Sequence, residues 1–128
     1  MATIGLPDLG YREAAGRALD QPNTEPAAFF TSDATFERGD LRVKGQDGLK
    51  RMVAGRPADL KTRHLLTTSV IEENGDREAT GRHYCLVFAS GAEFDPSKPI
   101  VREYRDRYRL TGEGWRIASR TVFTPFAG

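Results

Sequence analysis

The spacing of apolar residues changes along the chain and divides it into a helical half and a strand half. Apolar residues recur at helical spacing over residues 11–19 and again over residues 46–56, so each segment is predicted to form a helix. Another short helix is predicted to begin at Pro26 and to extend through Phe30, because proline is favoured in the first helical turn. Residues 33–44 alternate around a turn and predict a small hairpin.

Beyond residue 60 the apolar positions alternate with a period of two, which is typical of β-strands. Asn74 and Gly75 form a strong hairpin signal between two of the alternating runs. Strands are predicted at His64–Glu72, Arg77–Ser90, Ile100–Thr111 and Trp115–Thr124. Helices followed by antiparallel strands predict an α+β fold, and the 128 residues are predicted to form one domain over 1–128.

Composition and charge narrow the classes of function. The 19 basic and 18 acidic residues nearly cancel, so no nucleic-acid partner and no membrane association are expected. The single cysteine, Cys85, cannot form an internal disulfide, and the chain begins without a signal-peptide pattern, so a cytoplasmic location is expected. With two histidines and one cysteine, no metal site is expected. The arginine run from Arg102 to Arg109, which Glu103 and Asp106 interrupt, is interpreted as a solvated strand face.

Four groups of short segments, in a fixed order along the chain, resemble a known superfamily. They are Ala18–Asp20 with Phe30–Ala34, then Val43–Gly45, then Arg63–His64, and last Tyr104–Asp106 with Gly114–Ile117. This order resembles the SnoaL-like group of the nuclear-transport-factor-like superfamily along essentially the whole chain. The resemblance implies a cone, in which a curved, mixed but mostly antiparallel sheet wraps around three N-terminal helices and encloses a pocket. It indicates fold more than activity, because this fold hosts many unrelated functions.

The resemblance also implies a catalytic pair. Scytalone dehydratase and the bile-acid dehydratases have an aspartate at the end of the first helix and a histidine at the start of a sheet strand. Asp20 and His64 occupy those places in this sequence. A carboxylate within hydrogen-bond reach of an imidazole forms an acid–base unit that moves protons near neutral pH. The alternative is that Asp20 is solvated at a helix end and His64 makes only a local hydrogen bond.

The resemblance to scytalone dehydratase is incomplete at one position. That enzyme uses a second histidine on the following strand, and Ala89 stands at that position here. Either another group replaces it, such as His83, Tyr84 or Asp106, or none does. His83 itself is interpreted as a core or interface histidine, and Cys85 as a buried, inert thiol.

Alternating aromatic and polar residues, mostly on the strands, are predicted to form the wall of the pocket. Asp106 lies among them on an otherwise apolar face, so it needs a partner, which is either Arg120 on the neighbouring strand or a ligand hydroxyl. The predicted pocket residues are Phe30, Phe36, Tyr84, Tyr104, Asp106, Trp115 and Arg120.

The residues and the resemblance together predict a cofactor-independent lyase or isomerase, with dehydratase-like or cyclase-like chemistry on a small, largely apolar cyclic substrate. His64 is the predicted acid–base group and Asp20 its orienting partner. The alternative is a non-catalytic domain of the same fold, which binds a small ligand or serves as an accessory dimerisation domain. In both cases the expected partners are a small apolar or aromatic ligand and a second copy of the chain, bound through the sheet.

Overall fold

A six-stranded sheet makes up most of the part of the chain that the computed structural model describes, residues 28–126. Its strands are β1 (Phe30–Arg38), β2 (Leu41–Lys44), β3 (Lys61–Glu73), β4 (Glu78–Ser90), β5 (Ile100–Thr111) and β6 (Gly114–Phe123). They lie in the order β2-β1-β6-β5-β4-β3. Neighbouring strands are antiparallel except β1 and β6, which are parallel, so the prediction of a mixed, mostly antiparallel sheet is confirmed.

One helix, α1 (Gly45–Ala54), follows β2 and packs against β1. The Nε2 atom of Gln46 donates hydrogen bonds to the backbone oxygens of Phe30 (3.1 Å) and Thr31 (3.2 Å), which hold the start of the helix against β1. Leu49 is buried on the apolar helix face whose spacing predicts the helix from sequence. The helix therefore covers one end of the sheet with an apolar surface.

Alternation along β4 and most of β5 gives the sheet a buried inner face and a more exposed outer face. In β4 every second residue is buried, namely Ala79, Gly81, His83, Cys85, Val87 and Ala89. The most deeply buried apolar side chains come from four different strands, β1, β3, β4 and β6, and include Ala34, Ile71, Cys85 and Ile117. The core thus lies on the inner face of the sheet, where side chains of distant segments meet.

Irregularities of pairing interrupt the sheet at three places. They lie between Phe30 and Thr35 in β1, between Leu66 and Thr68 in β3, and opposite Arg107 and Tyr108 in β6. In β6 the partners of β5 pass from Ile117 to Ser119, which leaves Ala118 as an extra residue. Because a bulge bends its strand and increases the local twist, the three irregularities favour a curved sheet.

The three helices predicted from sequence have different outcomes. The third is confirmed as α1. The first, over residues 11–19, lies outside the described residues, as does the start of the second at Pro26. The prediction that this second helix extends through Phe30 is wrong, because Phe30 pairs with Ile117 and begins β1. Within residues 28–126, no helix has the length and apolarity needed to cross a membrane.

The substitution Gly81→Ala tests how tightly the inner face is packed. An added Cβ atom would lie 2.8 Å from Cδ1 of Ile71 and 2.8 Å from Cε2 of Tyr108, which is closer than packed carbons approach. Overpacking of this kind costs about 1–3 kcal/mol, and we expect that loss in the free energy of unfolding measured with urea. The control is Gly112→Ala in the β5–β6 turn, where the added atom meets nothing within 4 Å. Equal stabilities of the two variants would contradict the prediction.

Candidate functional site

A cavity of about 430 Å³ lies between α1, the segment that follows it and the inner face of the sheet. Its volume falls in the range of roughly 300–1,000 Å³ that is usual for small-molecule sites. Most of the wall is apolar, and the apolar lining includes Phe30, Phe36, Leu49, Met52, Val53, Leu60, Val87, Ile100 and Val122. A ligand in this cavity would bury apolar surface against both the helix and the sheet.

His64 reaches this cavity from β3. Its chain neighbours, Arg63 and Leu65, are exposed on the opposite face of the strand. Across the sheet His64 pairs with Val87, which also lines the cavity. An imidazole at this place can accept or deliver a proton at near-neutral pH. Asp20, its predicted partner, lies outside the described residues, so the pairing of the two side chains stays a prediction.

Ala89 lines the cavity beside Thr62, with which it pairs across β3 and β4. The position that the resemblance would fill with a second histidine is therefore on the cavity wall but carries only a methyl group. His83 lies deeper on the same face of β4, is 0% exposed, and does not line the cavity. Its interpretation as a core histidine is confirmed. Among the residues that the structure describes, no group of three or more His, Cys, Asp or Glu side chains could hold a metal ion.

Arg120 and Asp106 form a buried ion pair across β5 and β6, and each is 2% exposed. The guanidinium donates two hydrogen bonds, from Nε to Oδ1 and from Nη2 to Oδ2, both at 2.8 Å. Burial opposes the charge of Arg120, but the attraction and hydrogen bonds of Asp106 raise its pKa above the usual range. The guanidinium also lies 4.9 Å from the ring centre of Tyr104. Arg120 thus stays charged where it lines the cavity.

A chain of hydrogen bonds extends from this ion pair into the core. The hydroxyl of Tyr108 donates to Oδ2 of Asp106 at 2.9 Å, and Nε2 of His83 lies 2.5 Å from the same hydroxyl. Nδ1 of His83 lies 2.8 Å from Oγ of Ser69. Because an ionised carboxylate only accepts, Tyr108 donates to Asp106, and Nε2 of His83 then donates to the hydroxyl of Tyr108. Asp106 and His83 thus belong to one buried chain of hydrogen bonds.

The predicted site residues separate into two groups. Phe30, Phe36, Tyr104 and Arg120 line the cavity together with His64. Tyr84, Trp115 and Asp106, which were also predicted to line the pocket, do not line this cavity among the described residues.

The structure places each of these three residues in other surroundings. Tyr84 is 38% exposed on the outer face of β4, since the inward places on either side of it belong to His83 and Cys85. Trp115 pairs with Leu110 at the β5–β6 turn, away from the cavity. Asp106 lies buried in its ion pair with Arg120.

Sequence reasoning missed three arginines that line the cavity, Arg38, Arg56 and Arg102. The interpretation of the arginine run in β5 as one solvated face is wrong for Arg102. Arg105 and Arg107 are exposed on the outer face, but Arg102 is an even-numbered residue and shares the inner face with Tyr104. The alternation of the strand was a sufficient signal to separate Arg102 from the others.

Comparison with known families agrees with this geometry. Residues 13–121 match the model of a SnoaL-like domain. The chain belongs to the SnoaL-like domain family. The sequence matches no curated protein.

Several solved structures are similar to this SnoaL-like domain. A Nostoc punctiforme protein of unknown function with a cystatin-like fold has a TM-score of 0.79 and 21% identity, over 99% of this chain and 97% of that one. A Mycobacterium tuberculosis protein of unknown function has a TM-score of 0.73 and 28% identity, over 88% and 68% of the two chains. A hexachlorocyclohexane dehydrochlorinase from Novosphingobium barchaimii has a TM-score of 0.74 and 16% identity, over 90% and 82%. These likenesses establish the fold.

The ion pair beneath the cavity predicts a large loss of stability in the variant Arg120→Met. Removing one partner leaves Asp106 buried without its counter-ion, which costs about 3–5 kcal/mol in the free energy of unfolding measured with urea. The double variant Asp106→Leu/Arg120→Met removes both charges and should recover part of that loss. A single variant that loses less than about 1 kcal/mol, or a double variant less stable than the single one, would contradict this account.

Proposed function

We propose that this SnoaL-like domain is a cofactor-independent lyase or isomerase that performs dehydratase-like or cyclase-like acid–base chemistry on a small, largely apolar cyclic molecule. The observation that carries the proposal is that His64 lines a mainly apolar cavity of ligand size. Proton transfer by a positioned imidazole is effective because its ordinary pKa lies near the operating pH.

In the proposed reaction His64 removes a proton from a carbon next to an electron-withdrawing group. In an elimination the electrons of that carbon–hydrogen bond form a carbon–carbon double bond. In an isomerisation they form an enolate, which takes the proton back from His64 at a different carbon. In a dehydration the leaving hydroxyl departs with its bonding electrons and receives the proton, so that water is released. Asp20, in this proposal, accepts a hydrogen bond from the imidazole and thereby fixes its tautomer and orientation.

The family supports this class of chemistry without naming a substrate. The dehydrochlorinase among the structural neighbours is named for the removal of hydrogen chloride from hexachlorocyclohexane. Such an elimination and a dehydration both require the removal of a proton from carbon. The apolar wall of the cavity suits a ring-shaped substrate, because burial of apolar surface would supply most of the binding free energy.

The second candidate function is binding of a small ligand without turnover. Ala89 favours it, since the position that the resemblance to scytalone dehydratase would fill with a second histidine has no titratable group. The part of the cavity wall formed by residues 28–126 also contains no carboxylate. Both functions use the same cavity, so product analysis is the measurement that separates them.

We expect His64→Ala to lose turnover and to keep ligand binding. A panel of ring-shaped apolar alcohols and ketones is first screened for binding by thermal shift, and each hit is then incubated with protein for product analysis. Loss of the imidazole should lower kcat by about 10²–10⁴-fold, while the thermal shift persists because the apolar wall is intact. The matched control is Arg63→Ala, the next residue along β3 on the exposed face. If wild-type protein binds compounds but never converts them, the catalytic proposal is contradicted and binding without turnover is supported.

We also propose that two copies of the domain pair through the outer face of the sheet. The supporting observation is the exposure of large apolar side chains on that face, including Leu65 at 53% and Val70 at 49%. Exposed apolar area of this kind is favoured at subunit contacts.

The variant Leu65→Asp/Val70→Asp places two charges in the proposed contact and should shift sedimentation from dimer to monomer. Lys50→Asp, on the exposed side of α1, is the control and should sediment like the wild type. A wild-type protein that sediments as a monomer at all concentrations would refute the dimer.

A further inference from the structure

Three arginines stand at the cavity without acidic partners among the described residues, and we name Arg38, Arg56 and Arg102 the arginine cluster. Arg38 ends β1, Arg56 follows α1, and Arg102 lies on the inner face of β5. None of them forms an ion pair with a carboxylate of residues 28–126. The Nη2 atom of Arg56 donates to Oγ1 of Thr62 at 3.2 Å, two residues from His64 on the same strand face.

Several other arginines of the sheet contact carboxylates. Arg105 donates from Nε to Glu103 at 2.6 Å, and Arg120 donates twice to Asp106. Even exposed Arg109 contacts a carboxylate, that of Asp33, at 3.0 Å. Arg63 and Arg107 also form no ion pair with a carboxylate of residues 28–126, but both are exposed to solvent. The arginine cluster differs from them because its side chains line a cavity.

The arginine cluster combines repulsion between like charges with a buried donor that has no acceptor among the described residues. The Nε atom of Arg102 is buried and has no hydrogen-bond partner within the part of the chain described. Native structures rarely leave a buried donor unsatisfied, so such a group calls for an acceptor. Partial burial lowers the pKa of the Arg38 guanidinium, and the positive charges of Arg102 and Arg56 lower it further. An anion bound among the three would relieve both the repulsion and the unsatisfied donor.

We propose that the cavity binds small ring-shaped molecules that carry a carboxylate, with the apolar ring against the helix and the anionic group at the arginine cluster. The planar fork of a guanidinium matches the two oxygens of a carboxylate, and such charge-assisted pairs are among the strongest hydrogen bonds in proteins. The apolar wall around Leu49, Met52 and Ile100 suits the ring. This inference rests on the proposed function in one respect, that the cavity is the place where the ligand binds.

The test compares acids with neutral amides of the same shape. Benzoate, cyclohexanecarboxylate and 2-naphthoate are titrated calorimetrically into the full chain, each against its own amide. For at least one pair we expect the acid to bind about tenfold or more tightly than the amide, which is the ordinary size of one charge-assisted contact. If no acid binds more tightly than its amide, the proposal is overturned.

Variants then assign the preference to residues. Arg38→Gln/Arg102→Gln should remove the preference for the acid and leave the affinity for the amide within about twofold. Arg107→Gln, on the exposed face of the same strand as Arg102, is the matched control and should keep the preference. A preference that survives the double variant, or that Arg107→Gln removes equally, overturns the assignment. Near-ultraviolet circular dichroism verifies that each variant is folded.

A further variant separates this proposal from the catalytic one. His64→Ala should keep the full preference for the acid, because the arginine cluster is unchanged. Loss of turnover with retained preference supports both proposals, whereas loss of the preference in His64→Ala would contradict the role of the arginine cluster.

Discussion

Asp106 and Arg120 carry opposite charges on two neighbouring strands inside the sheet, where burial of either charge alone would be prohibitive. Their two hydrogen bonds fix the relative position of β5 and β6 in the direction along the strands. The same carboxylate accepts from Tyr108, which in turn contacts His83. One ion pair therefore organises polar groups from three strands that would otherwise be unsatisfied in an apolar core.

The ion pair also affects the electrostatics of the cavity. Because Asp106 neutralises Arg120, that arginine contributes little net charge to the wall despite lining it. The positive character of the cavity then comes from Arg38, Arg56 and Arg102, which lack such partners among the described residues. The wall thus combines an apolar body with charge concentrated in one group of side chains, an arrangement that orients a ligand with one charged end.

Much of the fold can be predicted from local patterns in the sequence, whereas the site can be predicted only in part. Strand β5 runs from Ile100 to Thr111 as predicted, because alternation and turn residues are local signals. Alternation also predicts which residues of β4 lie on the inner face, and Tyr84 lies on the outer face although it was predicted to line the pocket. The pairing of Asp106 with Arg120, one of the two partners predicted for this carboxylate, is confirmed. Its continuation through Tyr108 and His83 to Ser69 was not predictable, because these residues come from strands whose register is set by the whole sheet.

The extra residue in β6 determines which side chains of this strand face the core. Ile117 and Arg120 differ in parity, yet both are buried on the inner face, because Ala118 is inserted between the two paired stretches. If the same residues alternated regularly without a bulge, Arg120 would lie on the outer face and its charge would be lost from beside Asp106. The bulge at Ala118 therefore decides which residues of the second half of β6 face the core, and the pairing of the buried charges depends on it.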